Sequence, residues 1–147
     1  MTHQGEKPSC LVVDDDPMVR DVVVRTLASA GYPVVSAANG GEAAEIFSGR
    51  SFPIVVTDIV MPEKEGIETI IELKRLSPAV KILAISGGGR ERGKEFLRYA
   101  SRLGANAVLS KPFRKAELLE VIAEFAGEAQ EADQDAAPSA ARGKARG

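Results

Sequence analysis

At 147 residues, with 44% hydrophobic and 27% charged content and a formal net charge of -2, the chain has the composition of a globular domain built on one core. Near-neutral charge excludes a dedicated nucleic-acid binder, whose contact face would be strongly basic, and the single cysteine, Cys10, excludes an internal disulfide framework. No apolar run reaches membrane length and the first residues lack a signal-peptide pattern, so a cytoplasmic protein with no membrane and no direct nucleic-acid partner is expected.

Residues 1–7 read as a flexible polar leader, with His3 a surface residue in it. A first strand is expected over Cys10 to Asp14, opened by a core cysteine, and a helix follows with Asp16 as N-cap, Pro17 at its first position and Val19, Val22, Val23 and Thr26 at helical spacing. Gly31 stops it. Pro33 to Ala37 form the second strand, Ala43 and Phe47 mark the second helix, and the β-branched run Ile54 to Asp58 reads as a buried strand that ends on a carboxylate. Met61-Pro62 and Gly66 shape the turn into a third helix carrying Ile67, Ile70, Ile71 and Lys74, which breaks at Pro78. Lys81 to Ser86 is the fourth strand; Phe96, Ala100 and Leu103 mark a fourth helix, and Ala107 to Leu109 the fifth strand. Leu118, Val121, Ile122 and Phe125 mark a fifth helix, expected to end at Gly127, and Met18, Met61 and Phe113 read as packing residues. Residues 128–147 hold no Val, Ile, Leu, Met or aromatic residue and read as a disordered tail, leaving residues 8–127 as the folded domain.

Strict alternation of strands and helices implies an α/β fold with a parallel sheet covered on both faces. Ligands of such sheets sit outside the carboxyl ends of the strands. Those ends carry Asp14-Asp15-Asp16, Asp58, Ser86-Gly87 and Ser110-Lys111-Pro112, which converge if the first, third, fourth and fifth strands are neighbours. Carboxylates about 5 Å apart repel by about 3 kcal/mol per pair at an effective dielectric near 20, so the cluster calls for a cation. Oxygen ligands on open loops favour Mg2+. A metal-carboxylate site completed by Lys111 and the Ser86 hydroxyl suits a phosphoryl group, with Asp58 as the nucleophile that accepts it.

In order and approximate spacing, Asp14-Asp15, Asp58 with Met61-Pro62 and Gly66, Ser86-Gly87, and Lys111-Pro112-Phe113 resemble the receiver domain of two-component response regulators, over about residues 8–127. The resemblance implies a doubly wound, flavodoxin-like receiver fold with five helices and a five-stranded parallel sheet in the order 2-1-3-4-5. It also implies a single-domain, chemotaxis-regulator-like protein of a phosphorelay. In that reading Asp58 is the phosphoacceptor, Asp14, Asp15, Asp58 and the backbone carbonyl of Val60 hold Mg2+, and Lys111 and Ser86 contact the phosphate. The phosphodonor would be a histidine kinase or histidine phosphotransfer protein, and the output a contact with a downstream protein target. A cis peptide is implied at Lys111-Pro112. Such a chain is a signalling receiver and not an enzyme on external substrates: it catalyses only phosphoryl transfer to its own aspartate and slow autodephosphorylation. Slow hydrolysis is expected because Val60 and Gly88, two beyond Asp58 and Ser86, cannot orient a water. The aromatic residue that the family often has three positions before the lysine is here Val108, so signal transfer would rest on loop movement around Ser86 and the fourth helix.

Two other readings compete. Gly88-Gly89-Arg90-Glu91-Arg92-Gly93-Lys94 matches the phosphate-loop pattern of nucleotide binders, but Glu95 replaces the required Ser or Thr and sets a carboxylate beside the supposed phosphate. A receiver-shaped binding module that is never phosphorylated is the other, and retention of Asp58, Lys111 and Ser86 speaks against it. Arg90, Lys94, Arg98 and Arg102 recur every four residues and read as a solvated basic stripe or a docking face for an acidic partner.

Overall fold

A computed structural model describes residues 7–50, 52–59, 65–86, 98, 101, 102 and 104–136. The elements are β1 (Cys10–Val13), α1 (Pro17–Ser29), β2 (Val34–Ala37), α2 (Gly40–Gly49), β3 (Ile54–Asp58), α3 (Glu65–Leu76), β4 (Lys81–Ser86), β5 (Ala107–Ser110) and α4 (Lys115–Ala136). The strands form one parallel sheet in the order β2-β1-β3-β4-β5, the expected one.

Period-two alternation in fully apolar strands sends neighbouring residues to opposite faces. Leu11, Val13 and Val55 join Ala43 and Phe47 of α2 and Ile67, Ile70 and Leu73 of α3 in one core; Cys10, Val12 and Val56 join Val23 and Leu27 of α1 and Leu118, Ile122 and Phe125 of α4 in the other. Burial pushes the Cys10 thiol up to about 12, so it is an inert packing group, as the sequence implies. Phe113 also packs on the second core. Met18, expected to pack, is 78% exposed, and Val22 and Ile71 lie half out of their helix faces, while Leu73 fills the α3 position between Ile70 and Lys74. A helix buries a stripe and not every apolar residue near it.

The capping expectations at α1 hold. Asp16 accepts from the Met18 N–H with Pro17 just inside the helix. At the other end Gly31 takes φ +99°, the Gly31 N–H donates to the Ala28 carbonyl and the Tyr32 N–H to the Leu27 carbonyl, a closed Schellman turn.

The last helix departs from expectation: it passes through Gly127 and continues to Ala136. Glycine costs only about 1 kcal/mol within a helix, and the Glu, Ala and Gln that follow are strong helix formers. An ion pair of 3.2 Å between Glu128 and Lys81 ties the start of the extension to β4. Residues 128–136 are thus helical, at the place where the sequence leads one to expect the start of a tail. β1 ends at Val13, one residue before Asp14, and β5 extends to Ser110. His3, Met61, Pro62, the loop 87–97 with its phosphate-loop pattern, Arg90 and Lys94, and most of the expected fourth helix lie outside the described residues; Arg98 and Arg102 are helical and exposed.

Lys74 lays its stem against the fold and donates to the Val80 carbonyl at 2.6 Å, with burial lowering its pKa. Opposite it, Gly104 has φ +128°, and a Cβ there would stand 3.0 Å from Lys74 Cγ, whose ammonium is already committed. We expect Gly104→Ala to lower the unfolding free energy by about 1–3 kcal/mol in urea titrations, through backbone strain and displacement of Lys74.

Candidate functional site: an acidic pocket at the strand ends

The pocket is assembled by sheet order. β1 and β3 are neighbours, so the residue that follows β1, Asp14, meets the residue that ends β3, Asp58; β5 lies two strands away and its following residue, Lys111, reaches back across β4. The Lys111 N–H donates to the Ser86 carbonyl at 2.8 Å and the Ile59 N–H to the Ile85 carbonyl at 2.9 Å, so these strand ends are held by ladder bonds that continue past the strands. The Lys111-Pro112 peptide is cis, as expected.

Asp14 and Asp58 are 3% and 5% exposed and Ser86 is 1% exposed, whereas Asp15 is exposed. Lys111 Nζ lies 3.1 Å from Asp58 Oδ2 and 3.9 Å from Asp14 Oδ2. One carboxylate oxygen from each of Asp14, Asp15 and Asp58 lies within 4.8 Å of the others. At that separation each pair repels by about 3 kcal/mol at an effective dielectric of 20, and among the described residues the one ammonium of Lys111 against three carboxylates leaves a net double negative charge. Asp14 carries the cost of burial first and of this repulsion second. Its pKa is pushed up to about 6, chiefly by burial and further by the charges of Asp58 and Asp15, against the opposing pull of the Asp16 N–H and Lys111. The donor set is all oxygen, preorganised and one-sidedly solvent-facing, which fits a hard divalent cation that keeps part of its water shell.

The expected constellation is thus brought together for Asp14, Asp15, Asp58 and Lys111, and Ser86 stands at the end of β4, next to β3. Val60, expected to offer its carbonyl, and Gly88 lie outside the described residues. Asp16 caps α1, as its sequence position implies. One contact was not anticipated: Arg20 Nη1 donates to the backbone carbonyl of Asp14 at 2.7 Å. Its only trace in the sequence is a long basic side chain four residues after an N-cap, where helical side chains lean back toward the N-terminus.

Residues 10–123 match the response regulator receiver domain family, and this chain belongs to it. It is 34% identical over 113 residues to the chemotaxis protein CheY of Thermotoga maritima, an alignment covering 76% of this chain and 92% of CheY. It is 37% identical over 126 residues to the sensor kinase CckA of Brucella abortus, covering 84% of this chain but 13% of that much longer protein. The crystal structure of a CheY-like receiver domain protein from Methanospirillum hungatei superposes with a TM-score of 0.74 at 30% identity, covering 86% of this chain and 98% of that one. The class is therefore the response regulator receiver of two-component systems. Receivers bind Mg2+ in an acidic pocket and work with histidine kinases and downstream targets. Among the described residues no helix is long and apolar enough to cross a membrane.

Proposed function

We propose that this chain is a phosphorylation-controlled response regulator that takes a phosphoryl group on Asp58 from a histidine kinase or histidine phosphotransfer protein. The observation that carries the reading is the Lys111 ammonium 3.1 Å from the Asp58 carboxylate, inside a pocket that two further acids make strongly negative. Asp14, Asp15 and Asp58 would hold Mg2+, completed by the Val60 carbonyl. When bound, that ion supplies positive charge beside the transferring oxygens.

The chain's own groups account for the rest. An Asp58 carboxylate oxygen attacks phosphorus; the new O–P bond forms as the N–P bond to the donor histidine breaks, and the leaving imidazole takes up a proton. Lys111, already paired with Asp58, follows the charge from the carboxylate to the phosphoryl oxygens, and the Ser86 hydroxyl donates to another of them. Movement of Lys111 and Ser86 alters the ends of β4 and β5, and through them the surface offered to a downstream protein. Neither Val60 nor Gly88 carries a group to orient water, so the acyl phosphate is long-lived.

Incubation with acetyl phosphate and Mg2+ should add one phosphoryl mass to the intact protein, EDTA should prevent it, and the modification should persist for minutes or longer after the donor is removed. No mass gain would favour a receiver-shaped module that binds without being phosphorylated; decay within seconds would overturn the slow-hydrolysis part alone.

A further inference from the structure

We infer that Arg20 is a positioning residue for the divalent-cation site, holding the backbone that presents Asp14 and Asp15. This rests on the reading of the pocket given above. After Val13 the chain leaves the sheet and within two residues must aim Asp14 inward, leave Asp15 at the mouth and start a helix at Asp16. Three bonds hold that turn. The Asp16 N–H donates to Asp14 Oδ1 at 2.9 Å, Asp16 Oδ1 accepts from the Met18 N–H at 2.9 Å, and Arg20 Nη1 donates to the Asp14 carbonyl at 2.7 Å. The first two are made by the acidic run itself. The third comes from α1, whose Arg20 N–H also donates to the Asp16 carbonyl at 2.9 Å, so the side chain braces the loop against a rigid element.

Helix energetics do not account for a cation there. A positive charge near a helix N-terminus opposes the macrodipole; the acidic N-cap Asp16 offsets part of that cost, and α1 has no acidic residue within its first turn to offset the rest. Charge alone would draw a cation toward the acidic pocket, but there it would repel the metal, so electrostatics by itself makes Arg20 a penalty on Mg2+ binding. What a half-buried guanidinium offers is a directed donor to a carbonyl adjacent to two ligands, the kind of outer-shell bond that orients metal-binding groups.

The two effects have opposite signs, which makes the test decisive. If Arg20 acts only as a charge, Arg20→Ala tightens Mg2+ binding; if it positions Asp14 and Asp15, Arg20→Ala weakens it. Calorimetric titration of the full chain with magnesium chloride should give a Kd raised about tenfold in Arg20→Ala, with much of the loss recovered in Arg20→Lys, which keeps a donor of similar reach. Arg25→Ala, which breaks only the exposed pair with Asp21, should bind like the wild type. An unchanged or lower Kd in Arg20→Ala, or a loss that Arg25→Ala reproduces, overturns the inference. Acetyl phosphate uptake by the wild type tests the proposed function separately: its absence, with Arg20→Ala still weakening Mg2+ binding, would sink phosphorylation but not the role of Arg20.

Discussion

Asp58→Asn should lose phosphoryl uptake by more than about a thousandfold, because an amide oxygen is not a competent nucleophile and the site offers no equivalent replacement. Asp14 is the nearest rival, being buried and also facing Lys111, yet three features disfavour it. Its Oδ1 is engaged by the Asp16 N–H, its Oδ2 is 3.9 Å from the ammonium where Asp58 stands at 3.1 Å, and with a pKa raised to about 6 it is partly protonated in mildly acidic solution. Intact-mass spectrometry after incubation with acetyl phosphate and Mg2+ measures the loss. Peptide mapping of the wild-type adduct should place the phosphoryl group in the peptide containing Asp58; a label on Asp14 or Asp15 instead would reassign the nucleophile.

Asp14→Asn should make the metal-free protein more stable at neutral pH while weakening Mg2+ binding at least tenfold, since a ligand charge is removed. In the unfolded chain the Asp14 carboxyl loses its proton near 3.8, in the folded protein near 6. Between those values the folded state holds the extra proton, so stability is highest below the window and falls as pH rises through it, by about 2–3 kcal/mol in all. The amide keeps the acceptor for the Asp16 N–H and abolishes the ionisation, so the variant should recover about 2 kcal/mol at pH 7 and lose the slope between pH 4 and 6. Urea titrations across that range in EDTA give both quantities. A wild-type curve that rises from pH 4 to pH 7 with the same shape in Asp14→Asn would show that Asp14 is not the strained group. On the proposed reading, the cost held at Asp14 in the metal-free protein is one that a bound cation would relieve, so stability and function would pull in opposite directions at one carboxyl.

Much of the fold was legible because the signals are local. The buried run Ile54 to Asp58, the cap at Asp16-Pro17 and the left-handed stop at Gly31 each follow from neighbouring residues alone, and each stands where its chemistry demands. Boundaries with opposing local signals were less secure. Gly127 carries a stop signal, but the helix formers on both sides and the Lys81–Glu128 pair outweigh it. Met18 and Val22 are apolar without being core, because which stripe of α1 faces inward depends on where the sheet lies beneath it.

The amino-acid order alone placed an acid, a hydroxyl or a base at each critical strand end, since a parallel strand that leaves the core must expose its carboxyl terminus to whatever ligand the fold will hold. Only the packed sheet decided that Asp58 and Lys111, 53 positions apart, lie within hydrogen-bond reach, that burial and two neighbouring charges lift the Asp14 pKa to about 6, and that Arg20 grips the Asp14 carbonyl. Those are distances and desolvation set by strand order and crossover geometry, and no local pattern of residues encodes them.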